Sequence, residues 1–336
     1  MNITYIIGNG FDINLGLKTG YDSFYEWYVA NSSENDSAVV VKFKKEITTY
    51  LKSRNSNWSD LEWALGRFSS KIPSNHFPTL YMDIAAKLKQ YLCEEYKTFD
   101  PSSYDGEKLR AQLADPISGH FNEARTKILN SFSVDCSLLG DDVINIISFN
   151  YTNTLEDILK FSGEERWKKA TGGYVTLKSI AHVHHTLQEN NIVFGVNDIS
   201  QITNPAYKHN KTICDLFVKP QANDVLGGYV HTAIPYILQE TNLFVFFGVS
   251  GGATDCLWWN LIGRRLVSSP KSSRIIWFVH DNTVNPNFRD ILYRDVERRV
   301  VPDFKTKTGL PHAQSATMDN RIFVTLSDRM FSNLKI

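Results

Sequence analysis

Three kinds of residue in this chain stand where chemistry is done: glycines that break an apolar run, an asparagine that ends another, and histidines clustered in a third. The first is Gly8-Asn9-Gly10-Phe11-Asp12, directly after Ile3, Tyr5, Ile6 and Ile7. Glycine tolerates positive φ and close backbone approach, so a strand that breaks at Gly-x-Gly is either a bare tight turn or a loop whose N–H groups face a phosphate. It lacks the third glycine of a dinucleotide fingerprint. Asn150 follows the apolar run from Asp142 to Phe149, at the strand end where open α/β sheets bind ligands. Asparagine and threonine there also make turns and caps, and Thr152 or Asn153 is the expected cap of the next helix. His182, His184 and His185 fall in a predicted strand from Ser179 to His185. Alternation puts His182 and His184 on one face and His185 on the other, unlike the i, i+4 pair of a helical zinc site. A single histidine acting as general base is therefore preferred, and no metal is predicted.

A second strand, Leu243 to Phe247, breaks at Gly248-Val249-Ser250-Gly251-Gly252-Ala253-Thr254-Asp255, and a helix through Trp258 and Ile262 follows. Ser250, Gly251, Gly252 and the first helical turn can offer donors to an anion. Asp255 would repel a phosphate, so it is expected to hold a hydroxyl or cap the helix. Near Trp58, Ser59 is the expected cap of a helix whose first turn carries Asp60 and Glu62, acids that suit the helix dipole.

The elements that must position these residues alternate between strand and helix, which predicts an α/β fold with a three-layer parallel sheet. Apolar residues recur at helical spacing in Val40, Phe43, Ile47 and Leu51 and again in Leu80, Ile84, Leu88 and Leu92. Residues 21–130 thus read as a helical lobe inserted into a sheet domain made of 1–20 and 131–336. Thr19 is the expected cap of the aromatic-rich helix at Tyr21. Gly163 to Gly173 reads as a connector, Ile192 to Asp198 as a short strand, Ser200 to Ala222 as loop and Asp224 to Glu240 as one helix. Lysine plus arginine and aspartate plus glutamate number 36 each, so no global field draws the chain to nucleic acid or an anionic membrane. Apolar runs are strand-length and no basic leader precedes one, which predicts a soluble, cytoplasmic protein. Cys93, Cys136, Cys214 and Cys256 are far apart and are expected as free thiols.

Taken in order, Gly8-Asn9-Gly10-Phe11-Asp12, Phe149-Asn150-Tyr151-Thr152-Asn153-Thr154, His182-Val183-His184 and Phe247-Gly248-Val249-Ser250 with Thr254-Asp255 resemble the motifs of the AbiH family of bacteriophage abortive-infection proteins. Trp58-Ser59-Asp60-Leu61-Glu62 looks like that family's W-x-D-x-E segment. The family is in turn similar to SIR2-like antiphage domains, so the resemblance implies a SIR2-like, Rossmann-like sheet. It also implies NAD as substrate or ligand, with Asn150 and His184 serving hydrolysis of its nicotinamide N-glycosidic bond. Gly8, Asn9, Gly10, Phe11, Asp12, Gly248, Ser250, Gly251 and Thr254 would then bind the nucleotide, with Asp12, Asp255 and Glu62 near the ribose. His185 stands where the motif has a glycine. A nucleotide-sensing module without catalysis is the alternative, and a nuclease-type toxin is a third reading that the balanced charge and the missing carboxylate-rich metal pattern disfavour. A phage-derived trigger, a partner defence protein and a homo-oligomer are the partners such a role leaves open.

Overall fold

The computed structural model describes residues 1–53, 60–137, 141–170, 172–227, 230–269, 271–285, 288–327 and 330–336. Its sheet has seven strands: β1 (Asn2–Ile7), β2 (Asp142–Ser148), β3 (Glu165–Lys168), β4 (Tyr174–His182), β5 (Leu243–Phe247), β6 (Arg274–Val279) and β7 (Ile322–Leu326), in the order β3-β4-β2-β1-β5-β6-β7. All neighbours are parallel except β3, which pairs antiparallel with β4 at the edge. Counting the parallel strands alone, the order is the doubly wound one, with its switch point between β1 and β5. Register then aligns the strand ends. Ile7 pairs with Ser148 and Phe247, Ser148 pairs with His182, and Phe247 pairs with Phe278. The residues that follow each of these emerge on one edge.

The helices are α1 (Gly10–Asn14), α2 (Tyr21–Ala30), α3 (Ala38–Ser53), α4 (Leu61–Phe68), α5 (Phe77–Tyr96), α6 (Gly106–Ala114), α7 (Glu123–Ser137), α8 (Thr154–Leu159), α9 (Pro205–Lys208), α10 (Lys211–Phe217), α11 (Lys219–Leu226), α12 (Val230–Glu240), α13 (Cys256–Ser268), α14 (Arg289–Lys307) and α15 (His312–Ala316). The central strands are apolar almost throughout because both faces are covered. Ile3, Tyr5 and Ile7 pack with Leu109, Leu113, Leu129 and Leu155 of α6, α7 and α8. On the opposite face Ile6, Phe244 and Phe246 pack with Ile234, Trp259, Ile262 and Phe304 of α12, α13 and α14. A third core joins α2, α3, α4 and α5 to Leu187, Phe194, Tyr207 and Phe217.

This packing moves the boundaries expected from 21–130. α6 and α7 cover the sheet, while the chain returns to the lobe between Leu187 and Val218 because its aromatic side chains find their apolar partners there. Four local expectations also change. The strand expected up to His185 ends at His182 and is partnered by β3, which lies inside the expected connector. Ile192 to Asp198 holds only an isolated bridge, Val196 to Val218. The expected loop contains α9, α10 and the start of α11, and the single helix over 224–240 is divided between α11 and α12. The caps differ as well: Asp60 accepts from Trp63 N–H at α4, Ser59 lies outside the described residues, and Gly20 precedes α2. Asn153 precedes α8 without a side-chain cap bond. The cysteines are free, and among the described residues no helix is long and apolar enough to cross a membrane.

Candidate functional site

The two glycine loops interlock at the switch point. Gly8 N–H donates to Phe247 O (3.0 Å), Gly10 N–H to Gly248 O (2.9 Å) and Phe11 N–H to Gly8 O (2.9 Å). A Cβ on Gly10 would sit 2.5 Å from Gly248 Cα, and Gly248 itself has φ +70, so backbone packs on backbone where no side chain fits. These three N–H groups are committed to the fold. The first turn is therefore not the phosphate cradle that was expected of it. Phe11 is also no ligand contact, because its ring is fully buried against Phe247 and Phe331. In the second loop, the N–H groups of Ser250, Gly251 and Gly252 donate to no protein acceptor among the described residues. Those are the donors left for an anion.

One wall of the site is organised by Asp12, which is 1% exposed. Its carboxylate accepts from Thr152 Oγ1 (2.5 Å), Thr154 Oγ1 (2.6 Å) and Asn150 Nδ2 (3.2 Å). Thr152 thus orients the aspartate and does not cap α8. Burial pushes the Asp12 pKa up to about 6, against the pull of those three hydrogen bonds. Asn150 is 5% exposed, and its Oδ1 has no protein partner. A buried amide oxygen left open in this way is an acceptor held ready for a ligand donor. His182 fixes the Asn150 backbone: Nδ1 donates to Asn150 O (2.8 Å) and Nε2 meets Glu156 Oε1 (2.6 Å). Burial opposes charge on His182, but the Glu156 contact and the Asn150 carbonyl outweigh it and raise the pKa.

The facing wall is ionic. Lys219 Nζ, with its side chain 5% exposed, lies 2.7 Å from Asp255 Oδ1 and 2.9 Å from Glu62 Oε2, while Glu62 Oε1 accepts Gly195 N–H at 3.0 Å. His184 Nε2 lies 3.1 Å from the same Asp255 oxygen. The two carboxylates on this lysine diverge. Burial pushes Glu62 up to about 7 despite Lys219, whereas Lys219 and His184 together overcome burial at Asp255 and hold it well below the usual carboxylate range. Burial and then Lys219 lower the His184 pKa, so its resting form is neutral. That neutral ring has one N–H for two acceptors, Asp255 and the Phe149 backbone, whose own N–H is already given to Ile7 O at 2.8 Å. Gaining a proton satisfies both. The ring is thus built to act as a base.

Between the walls lies a cavity of about 570 Å³, within the range of small-molecule sites. Gly8, Asn9, Gly10, Asp12, Glu62, Asn150, His184, Gly248, Ser250, Gly251, Thr254 and Asp255 all line it. Tyr21, Leu88 and Leu92 close it from the lobe, and Trp277, His280 and Asp303 close it from the far strands and α14. The side chain of Asn9 is spent on Thr19, donating Nδ2 to Thr19 O at 3.0 Å.

The model of the family described as bacteriophage abortive infection AbiH matches residues 4–280. The chain belongs to the AbiH family. The match runs from β1 past the end of β6 and so includes both glycine loops, the lobe and both walls. No curated protein matches the chain. In this AbiH chain His185, which replaces the motif glycine, keeps a glycine-like backbone at φ +63 and bonds Glu189, so the chain passes the site in the expected path with the side chain turned to its own loop. Three participants went unread in the sequence: Lys219, Thr152 as an Asp12 donor, and the His182–Glu156 pair.

Proposed function

We propose that this AbiH chain acts in abortive infection by hydrolysing NAD+ at the bond between nicotinamide and ribose, on a Rossmann-like, SIR2-like sheet. What carries the reading is the meeting of a buried, unpartnered Asn150 Oδ1 and the base His184 in one cavity at the switch point. The leaving nicotinamide takes the electron pair of the C–N bond and becomes neutral, and an oxocarbenium-like ribose develops. Asn150 orients the ribose hydroxyl or the water. The water adds to C1, and His184 accepts its proton, so NAD+ and water give ADP-ribose, nicotinamide and one proton. Asp12 and Asp255 stand by the ribose, and Ser250 to Gly252 offer neutral donors to the pyrophosphate. A positioned base contributes about 10²–10⁴-fold.

The experiment is nicotinamide release from NAD+ by purified wild-type, Asn150→Ala and His184→Ala protein, alone and with lysate of infected cells. Release by wild type alone among the three supports the roles. Equal release by all three, or none by wild type in either condition, overturns them. One observation favours a sensing role in its place: the Glu62–Lys219–Asp255 bridge joins α4 of the lobe to the loop before α13, so a ligand between them acts on both bodies. Binding without product formation is its signature.

A further inference from the structure

Phosphate sites commonly use arginine or lysine. Neither lines this cavity among the described residues, whereas Asp12, Asp60, Glu62, Asp255 and Asp303 do. The nearest cations are engaged elsewhere: Lys219 holds Asp255 and Glu62, and Lys307 holds Asp303 at 2.6 Å. Among the described residues Asp12 and Asp60 meet only uncharged donors. Asp12 has two threonine hydroxyls and the Asn150 amide, and Asp60 has Trp63 N–H at 3.0 Å and the Thr254 hydroxyl at 3.3 Å. Such bonds hold a charge in place without cancelling it, so the cavity keeps a negative field where Coulomb forces exceed those in bulk water. The rings of Tyr21, Tyr151 and Trp259 add surfaces that attract cations. Asn150 Oδ1, buried and unpartnered, marks the same space as a ligand site.

We propose that the cavity selects its nucleotide by charge, taking an N-ribosyl pyridinium cation and discriminating against the same molecule with its ring reduced or with a phosphate added. The selection rests on the nucleotide reading above and names its substrate class. A pyrophosphate diester is met by the neutral N–H groups of Ser250, Gly251 and Gly252, and a further phosphate dianion finds no cation to offset the field.

Calorimetry on the His184→Gln protein, chosen to prevent turnover, compares NAD+, NADH, NADP+ and ATP. NAD+ is expected to bind at least about tenfold more tightly than NADH or NADP+, with ATP weakest, and added salt or Asp60→Asn should narrow the gap. The ranking is repeated on wild-type protein by saturation-transfer NMR recorded before turnover, so that a folding failure of the variant does not decide it. Equal affinity for NAD+ and NADH, tighter binding of NADP+ or ATP, or no binding of any probe overturns the proposal. The two readings separate cleanly. A preference for NAD+ without nicotinamide release upholds charge selection and rejects hydrolysis, and release from NADP+ as fast as from NAD+ does the reverse.

Discussion

The two walls of the cavity hold their carboxylates by opposite means. Around Asp12 every partner is neutral, and burial leaves its pKa near 6; around Asp255 a lysine and a histidine share one oxygen, and the acid stays ionised at any ordinary pH. The first wall can change protonation close to neutrality, and the second is locked. The difference shows how one fold places two aspartates beside one ligand with different duties: Asp255 keeps His184 oriented and ready to take a proton, while Asp12 sets the threonines and Asn150 in place. Glu62 lies between the two cases, because it shares Lys219 with a stronger competitor.

The contrast is broken most severely by Lys219→Met. It leaves two buried carboxylates without their cation, and truncating one partner of a buried pair costs about 3–5 kcal/mol. Denaturant unfolding should show a loss of that size. Adding Glu62→Gln and Asp255→Asn to the same protein should recover most of it, since no buried charge is then left unpaired. A loss below about 1 kcal/mol would mean that the second wall is solvated and not locked.

A smaller effect sharpens the other side. Because the folded pKa of Asp12 is raised from 3.8 to about 6, the proton is held more tightly in the folded chain than in the unfolded one. This group's contribution to stability is therefore fully present below pH 3.8 and is lost as pH rises through about 6, a change of about 3 kcal/mol. Asp12→Asn should remove that component. The difference in unfolding free energy between wild type and the variant, measured from pH 4 to 7, should slope across this window and flatten above it. A flat difference throughout would show that Asp12 carries no raised pKa.

What could be read in the sequence follows from the range of each interaction. Gly8, Asn150, His184 and Gly248 all follow local apolar runs, and once those runs pair in register their ends must converge. Lys219 has no such signature, because its partners lie 157 and 36 residues away and a lysine before Pro220 in a polar stretch resembles a loop. Proline in a first helical turn was the available sign that α11 begins there. The return of the chain to the lobe was hidden for a related reason: α9 has 4 residues and α10 has 7, too few to show a period. The four residues of β3 alternate between half-buried and exposed, but a strand so short is visible only beside β4.

The most direct test of the central claim, that both walls act on one ribose, is a crystal structure of the protein with ADP-ribose. The account predicts a ribose hydroxyl within hydrogen-bond distance of Asn150 Oδ1, with the His184–Asp255 pair on the same sugar and the pyrophosphate along Ser250 to Gly252. A ligand that touches only one wall, or that binds outside the cavity, would contradict it.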